Sequence, residues 1–370
     1  MKSEQQYIDL FAQCEDLICR HSAQVMNAPR AAAAADFERL GFPSLKGEDY
    51  KYTDVAEAFA PNYGLNLNRL SIPVNPNDVF RCDVPNMSTS LYFVVNDSFY
   101  EKAAPAAHLP EGVYVGGLQN FCKQHPEIAS KYYAKAASSS HDGIIALNTM
   151  LAEDGFVVYV PKDVVVERPI QLVNIFRSDV DTMANRRVLV IMEPRSEAKL
   201  LICDHSIDDV KFLSTEVVEI FAEEGARFDY YDLEESSIST TRFSSLHVRQ
   251  AAGSNVLVDG ITLTNGFTRN NYYIHLDGEH AQTQLCGMTV LDREQHLDTY
   301  SHITHAVPHC TSNELFKYVL TDRATGAFSG RILVKEGAEK TEAYQANRNR
   351  CTTREARMYS KPSLEIYADD

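Results

Sequence analysis

The sequence predicts a mainly β fold: a right-handed parallel β-helix, or β-solenoid, preceded by a helical N-terminal α/β region. Three observations carry this expectation. Helical periodicity fades after about Leu151, and short runs rich in β-branched and aromatic residues replace it. Turn markers then recur at a near-constant interval, at Ser196, Gly225, Gly253 and Gly278, with Gly337 two further intervals on and an unmarked turn near Pro308 between. A fixed period of roughly 20–50 residues marks stacked repeats, and a propeller blade would need about 40 or more. Finally, 370 residues at 44% hydrophobic supply a sizeable core.

The first division spans residues 1–150 and is helical or mixed. Tyr7, Ile8, Phe11, Cys14 and Ile18 form a helical stripe within residues 1–28. A second helix runs from about Pro29 to Leu40, where Gly41 and Pro43 suit the exit. From Pro61 to Pro85, Asn and Pro are dense enough to oppose any long regular element. Leu91–Val95 and Gly112–Val115 read as strands. Helical signals return over Gly117–Ala137, interrupted at His125-Pro126, and over Ile144–Leu151.

The second division, 151–370, reads as the β-helix core. Its strands are expected at Phe156–Val160, Ile170–Phe176, Arg187–Ile191, Ala198–Cys203, Val217–Phe221, Arg227–Tyr231, Ser244–Val248, Asn255–Val258, Tyr272–Leu276, Gln282–Leu285 and Arg331–Val334. The stretch Gly326–Arg350 reads as strand, turn at Glu336-Gly337-Ala338, and strand. In such a helix inward side chains form continuous ladders, while the last coil leaves open strand edges. A hexapeptide spacing of apolar residues, the mark of the left-handed form, is absent; the right hand is the usual sense of a parallel crossover.

Composition excludes several function classes. The excess of 51 acidic over 35 basic residues, a formal charge of −16, leaves no cationic surplus for a phosphate backbone. The N terminus lacks a basic region followed by an apolar one, and no apolar run reaches about 18 residues, so a cytoplasmic protein with no membrane partner is expected. Cys14, Cys19, Cys82, Cys122, Cys203, Cys286, Cys310 and Cys351 are scattered without a Cys-x-x-Cys pair. No phosphate-binding glycine loop, dinucleotide fingerprint or nucleophile elbow occurs.

The densest polar constellation is His296, His302, His305, His309 and Cys310. On a strand, residues 302 and 305 point to opposite faces and cannot chelate together, so these read as solvent-facing or satisfied histidines. The carboxylate pairs Asp208-Asp209, Glu234-Glu235 and Asp369-Asp370 diverge on a strand and read as solvated turn residues. Arg348, Arg350, Arg354 and Arg357 read as charge relief on an acidic surface. No catalytic residue and no metal ligand is assigned.

Phe328-Ser-Gly-Arg-Ile-Leu-Val-Lys-Glu-Gly-Ala-Glu-Lys-Thr-Glu-Ala-Tyr-Gln345, then Asn347-Arg-Asn349 and Lys361-Pro-Ser-Leu-Glu-Ile-Tyr-Ala-Asp-Asp370, strongly resemble the core of the SufB/SufD family of iron–sulfur cluster assembly proteins. Ala146-Leu-Asn-Thr149, Asp154-Gly-Phe-Val-Val158 and Val166-Glu-Arg-Pro-Ile170 look like that family's entry into its β-helix. Gly41-Phe-Pro43 with Glu48-Asp-Tyr-Lys-Tyr-Thr53 is similar to a SufD-type N-terminal signature, with Tyr50 where Trp is common.

The resemblance implies a non-catalytic scaffold subunit that works with a SufB-like subunit and a SufC-like ATPase. It implies no tightly held cofactor in this chain, and an iron–sulfur cluster held transiently at the SufB–SufD interface of the full complex. It also implies C-terminal truncation, before the segment that docks on the ATPase. Leu364, Glu365, Ile366, Tyr367, Asp369 and Asp370 are then expected as the final strand approaching a partner. A homodimer of the isolated chain stays open. Two other readings of a solenoid also stay open: a carbohydrate-active enzyme, or a purely structural protein-binding array.

Overall fold

The computed structural model describes residues 2–75, 89–105 and 109–369. Pro76, Asn77, Cys82 and Pro85, and the terminal Asp370, lie outside them.

The chain folds into a parallel β-solenoid of about seven turns, 45% strand and 19% helix, with a helical N-terminal region laid against it. The N-terminal helices are α1 (Glu4–Arg20), α2 (Gln24–Asn27), α3 (Arg30–Leu40) and α4 (Val55–Phe59). The expected first helix is thus two, broken at His21–Ala23. Three strands follow, β1 (Ser90–Val95), β2 (Ser98–Phe99) and β3 (Tyr114–Gly117), and then α5 (Leu118–Gln124), α6 (Pro126–Tyr132) and α7 (Gly143–Leu151). The break between α5 and α6 falls at His125-Pro126, because proline tolerates only the first turn of a helix. Asp142 caps α7, its carboxylate accepting from the N–H groups of Ile144 and Ile145.

From Gly155 each coil contributes one strand to each of two sheets. The even strands are β4 (Gly155–Val160), β6 (Thr182–Met192), β8 (Phe212–Ala222), β10 (Thr240–Gln250), β12 (Phe267–Leu276), β14 (His296–His305), β16 (Thr325–Val334) and β18 (Arg357–Ile366). They stack in that order, with β3 antiparallel on the outside of β4. The odd strands are β5 (Ile170–Phe176), β7 (Glu197–Ser206), β9 (Arg227–Glu235), β11 (Asn255–Thr264), β13 (Gln282–Leu291), β15 (Thr311–Leu320) and β17 (Glu342–Cys351). Their sheet begins with β2 and β1, so the N-terminal region itself starts it, β1 pairing in parallel with β5.

The strict register turns the period of the sequence into ladders. Val158, Val190, Ile220, Val248, Ile274, Ile303, Ile332 and Leu364 are successive partners across the even sheet. All but Leu364 are buried in the main core between the sheets. The odd sheet shows the alternation of a half-exposed sheet: along β15, Ser312, Glu314, Phe316, Tyr318 and Leu320 are buried and the residues between are not.

The even sheet is covered on its outer face as well, which is why β6 is buried at every position. Tyr7, Phe11, Phe37, Phe42, Phe59, Leu147 and Met150 pack on Met183, Leu213 and Phe243 there. Polar pins fix the helices to it: Arg187 donates to Thr149 at 2.8 Å and pairs with Glu219 at 2.8 Å, and Asn148 donates to Thr215 at 2.9 Å. Glu219 in turn accepts from the backbone N–H groups of Ala134, Ala136 and Ala137. The strands β14 and β15 were not marked in the sequence reading because polar residues interrupt their apolar alternation. β14 turns polar residues inward and outward alike, and β15 carries Ser312 and Glu314 at core positions.

Candidate functional site

The segment Glu48–Thr53 leaves the helical region and lies along the outer face of the last coils. Thr53 Oγ1 donates to Asp298 at 2.6 Å, and Arg269 pairs with the same carboxylate at 2.7 Å while its guanidinium sits 4.0 Å over the Tyr50 ring. Asn271 donates to Tyr50 Oη at 3.2 Å. Further on, Tyr52 stacks on Tyr359 with ring centroids 4.3 Å apart, and Glu48 pairs closely with Lys361. The SufD-type signature is therefore a contact segment between the start of the chain and its final strand.

That final strand carries most of the expected interface residues. β18 ends at Ile366, so Tyr367 and Asp369 lie just past it rather than within it, and Asp370 lies outside the described residues. The expected set divides by face. Leu364 and Ile366 continue the interior ladders and are 57% and 61% exposed, with no described strand stacked beyond them. Glu365 and Tyr367 point to the outer row, where Arg331 pairs with Glu365 at 2.8 Å and holds its carboxyl below the usual glutamate range. The companion edge strand β17 exposes Tyr344 at 62% and packs Ala343 against the core. Pro362 sits on β18 opposite Gly330, an edge position where its missing N–H breaks no inner pairing. Arg348, Arg350, Arg354 and Arg357 are all exposed beside these edges. Among the described residues, exposed apolar side chains on β18 and β17 thus lie beside four exposed arginines.

The histidine constellation does not converge. On β14, His305 points inward and its Nε2 lies 2.8 Å from Ser312 Oγ, while His302 points outward, as the alternation requires. Burial lowers the pKa of each to about 4. His296 shares the outer face with His302 but lies roughly 20 Å away at about 3.3 Å per residue, stacked on Phe267 at 4.3 Å. His309 stands in a turn. Among the described residues, no group of three or more His, Cys, Asp or Glu side chains is placed to hold a metal ion.

One expectation for the carboxylates is overturned. Asp208 binds Arg177 and the Ser178 N–H near the surface, but Glu234 is 1% exposed inside the solenoid. It belongs to a charged network between the sheets that sequence reasoning missed. Arg186 pairs with Asp204 at 3.2 Å, and Arg242 pairs with Asp204 at 3.2 Å and closely with Asp232. Glu216 lies 4.0 Å from Arg186 and 3.9 Å from Arg242, with neither oxygen hydrogen-bonded. Burial pushes Glu216 and Glu234 up to about 7, whereas Asp204 is held low because the two arginines outweigh its burial. The signal was available: each residue continues the inward parity of its strand, Asp204 after Leu200 and Ile202, Glu216 before Val218 and Ile220.

The whole chain matches one family. Residues 1–172 match the SufBD protein N-terminal region, and residues 175–370 match the SUF system FeS cluster assembly SufBD core domain. Among relatives, an iron–sulfur cluster assembly SufBD family protein of Synechocystis sp. is 25% identical over 352 residues, covering 92% of this chain and 76% of its own length. The SufD iron–sulfur cluster assembly protein of Bacillus subtilis is 22% identical over 78% of this chain and 66% of its own length. Escherichia coli SufD is 31% identical over a shorter stretch, 28% of this chain and 24% of its own. With a helical region pinned across a two-sheet solenoid, and with family matches that together run from one end of the sequence to the other, the chain belongs to the SufBD family of the SUF iron–sulfur cluster assembly system.

Proposed function

We propose that this chain is a SufD-type scaffold subunit of cytoplasmic iron–sulfur cluster assembly. It works without catalysis of its own, alongside a SufB-like subunit and a SufC-like ATPase, and the cluster is the cargo of the assembled complex. The observation that carries this reading is the pair of family matches that together run along the chain, with SufD proteins among the relatives. Under this reading the exposed apolar residues of β18, Leu364 and Ile366, contact the SufB-like subunit. Burying one leucine side chain there contributes about 1.5–3 kcal/mol.

The test is co-expression with SufB-like and SufC-like subunits, reading co-purification and iron–sulfur absorbance together. A Leu364→Asp, Ile366→Asp variant is expected to lose co-purification with the SufB-like subunit while keeping its own melting temperature. A double variant that still assembles and yields the same absorbance removes the terminal coil from the interface. Absorbance that does not depend on this chain at all removes the scaffold role.

A further inference from the structure

The turns leading from the even to the odd strands repeat one backbone conformation. Asp163, Arg195, Gly225, Gly253, His280, His309 and Lys340 occupy equivalent places in successive coils, all with φ between +57° and +66°. Backbone hydrogen bonds lock the row: the Gly253 N–H donates to the Glu279 carbonyl at 2.9 Å and the His309 N–H to the Glu339 carbonyl at 3.0 Å. Identical backbone in consecutive coils makes their side chains emerge side by side. Arg195 and Asp163 demonstrate the reach, joined by bonds of 2.6 and 3.3 Å.

In two consecutive coils that place is taken by histidine. His280 and His309 are both exposed, and their rings stack with centroids 5.1 Å apart and planes 16° from parallel. Non-glycine residues adopt this left-handed conformation at a cost of roughly 1–2 kcal/mol each, so the imidazoles are projected here against local preference. The approach is open on the His280 side, because Gly253 has no side chain and nothing lies within 4 Å of where its Cβ would stand.

We propose that His280 and His309 form a surface chelate for one divalent late first-row transition metal ion of the Cu²⁺, Ni²⁺ or Zn²⁺ type. Two imidazoles are the ligand set these ions accept most readily, with metal–nitrogen distances of about 2.0–2.1 Å and water filling the remaining positions. The exposed rings reach that geometry by tilting about their side-chain torsions, with no movement of the locked turns. The formal charge of −16 raises the local concentration of any cation. Lys340, in the coil beyond His309, is the nearer of the two cations in the row, Arg195 standing three coils before His280 and paired with Asp163.

The experiment is calorimetric titration of Ni²⁺ into the full chain, alongside His280→Gly, His309→Gly and, as a control, His125→Ala. Glycine suits the positive φ and removes only the imidazole, so the melting temperatures are expected to hold. The unsubstituted chain is expected to take up one ion, with affinity falling by about tenfold or more in each turn variant and unchanged in the control. Cu²⁺ loading with electron paramagnetic resonance should show two nitrogen ligands, and one in either variant. Equal Ni²⁺ affinity in both glycine variants and the parent, or loss of binding in the control alone, overturns the assignment.

Discussion

Glu216 shows how much a single position inside the solenoid can govern. Its carboxyl is buried, within 4.0 Å of two arginines yet hydrogen-bonded to neither, and burial raises its pKa from the ordinary 4.5 to about 7. The folded state therefore holds a proton that the unfolded chain releases at lower pH. Stability attributable to this group is lost as pH rises from about 4.5 to about 7 and stays low above that. Glu216→Gln is expected to raise the melting temperature by a few degrees at pH 8, with the gap to the parent closing toward pH 5; a lower melting temperature at pH 8 would mean that the ionised carboxylate is needed by Arg186 and Arg242. Glu234, also raised to about 7, contributes the same sign. The sequence reading placed Glu234 in solvent because it counted adjacent carboxylates as a turn signature. Parity along β9, with Phe228 and Tyr230 inward, leads to the opposite face, and the carboxyl is tolerated there because Arg242 of β10 lies 4.0 Å away and Thr268 donates to it.

At the scale of elements, coil stacking leaves little room where turns pass one another. A methyl group on Gly278 would stand 2.0 Å from the backbone nitrogen of Ala252 in the preceding coil. Gly278→Ala is expected to force the two turns apart and lower the melting temperature by about 1 °C for each kcal/mol lost in a chain of this size; a retained melting temperature would show that the turns move freely. Arg269 makes a different demand. It is fully buried between Tyr50 and Asp298, and Arg269→Ala strands a buried carboxylate at a cost of about 3–5 kcal/mol, measurable by urea denaturation. The strands were legible wherever β-branched residues alternated, and Ile170–Phe176 matches its observed span residue for residue. Other strands ran longer than expected, as with Arg187–Ile191 inside Thr182–Met192, because their ends carry polar residues satisfied by neighbouring coils, Asn185 by Thr215 and Arg186 by Asp204. Leu364–Ile366 was readable as strand, but its role as the bare end of two ladders needed the register.

For the molecule as a whole, the repeat interval was enough to predict a parallel solenoid, since only stacked coils return the chain to the same place every 27–31 residues, the spacing between successive odd-strand starts from Arg227 to Glu342. What the interval could not reveal is the cover on the even sheet, because contacts such as Thr53 to Asp298 join residues 245 positions apart and leave no local pattern. A bare solenoid is nearly one-dimensional, each coil feeling only its neighbours. Here Glu48 meets Lys361 across 313 positions. A chain emerging from the ribosome thus makes its contact segment early and must keep it waiting while 313 further positions are synthesised. The contacts of Glu48 with Lys361 and of Tyr52 with Tyr359 therefore cannot form before β18 has been made.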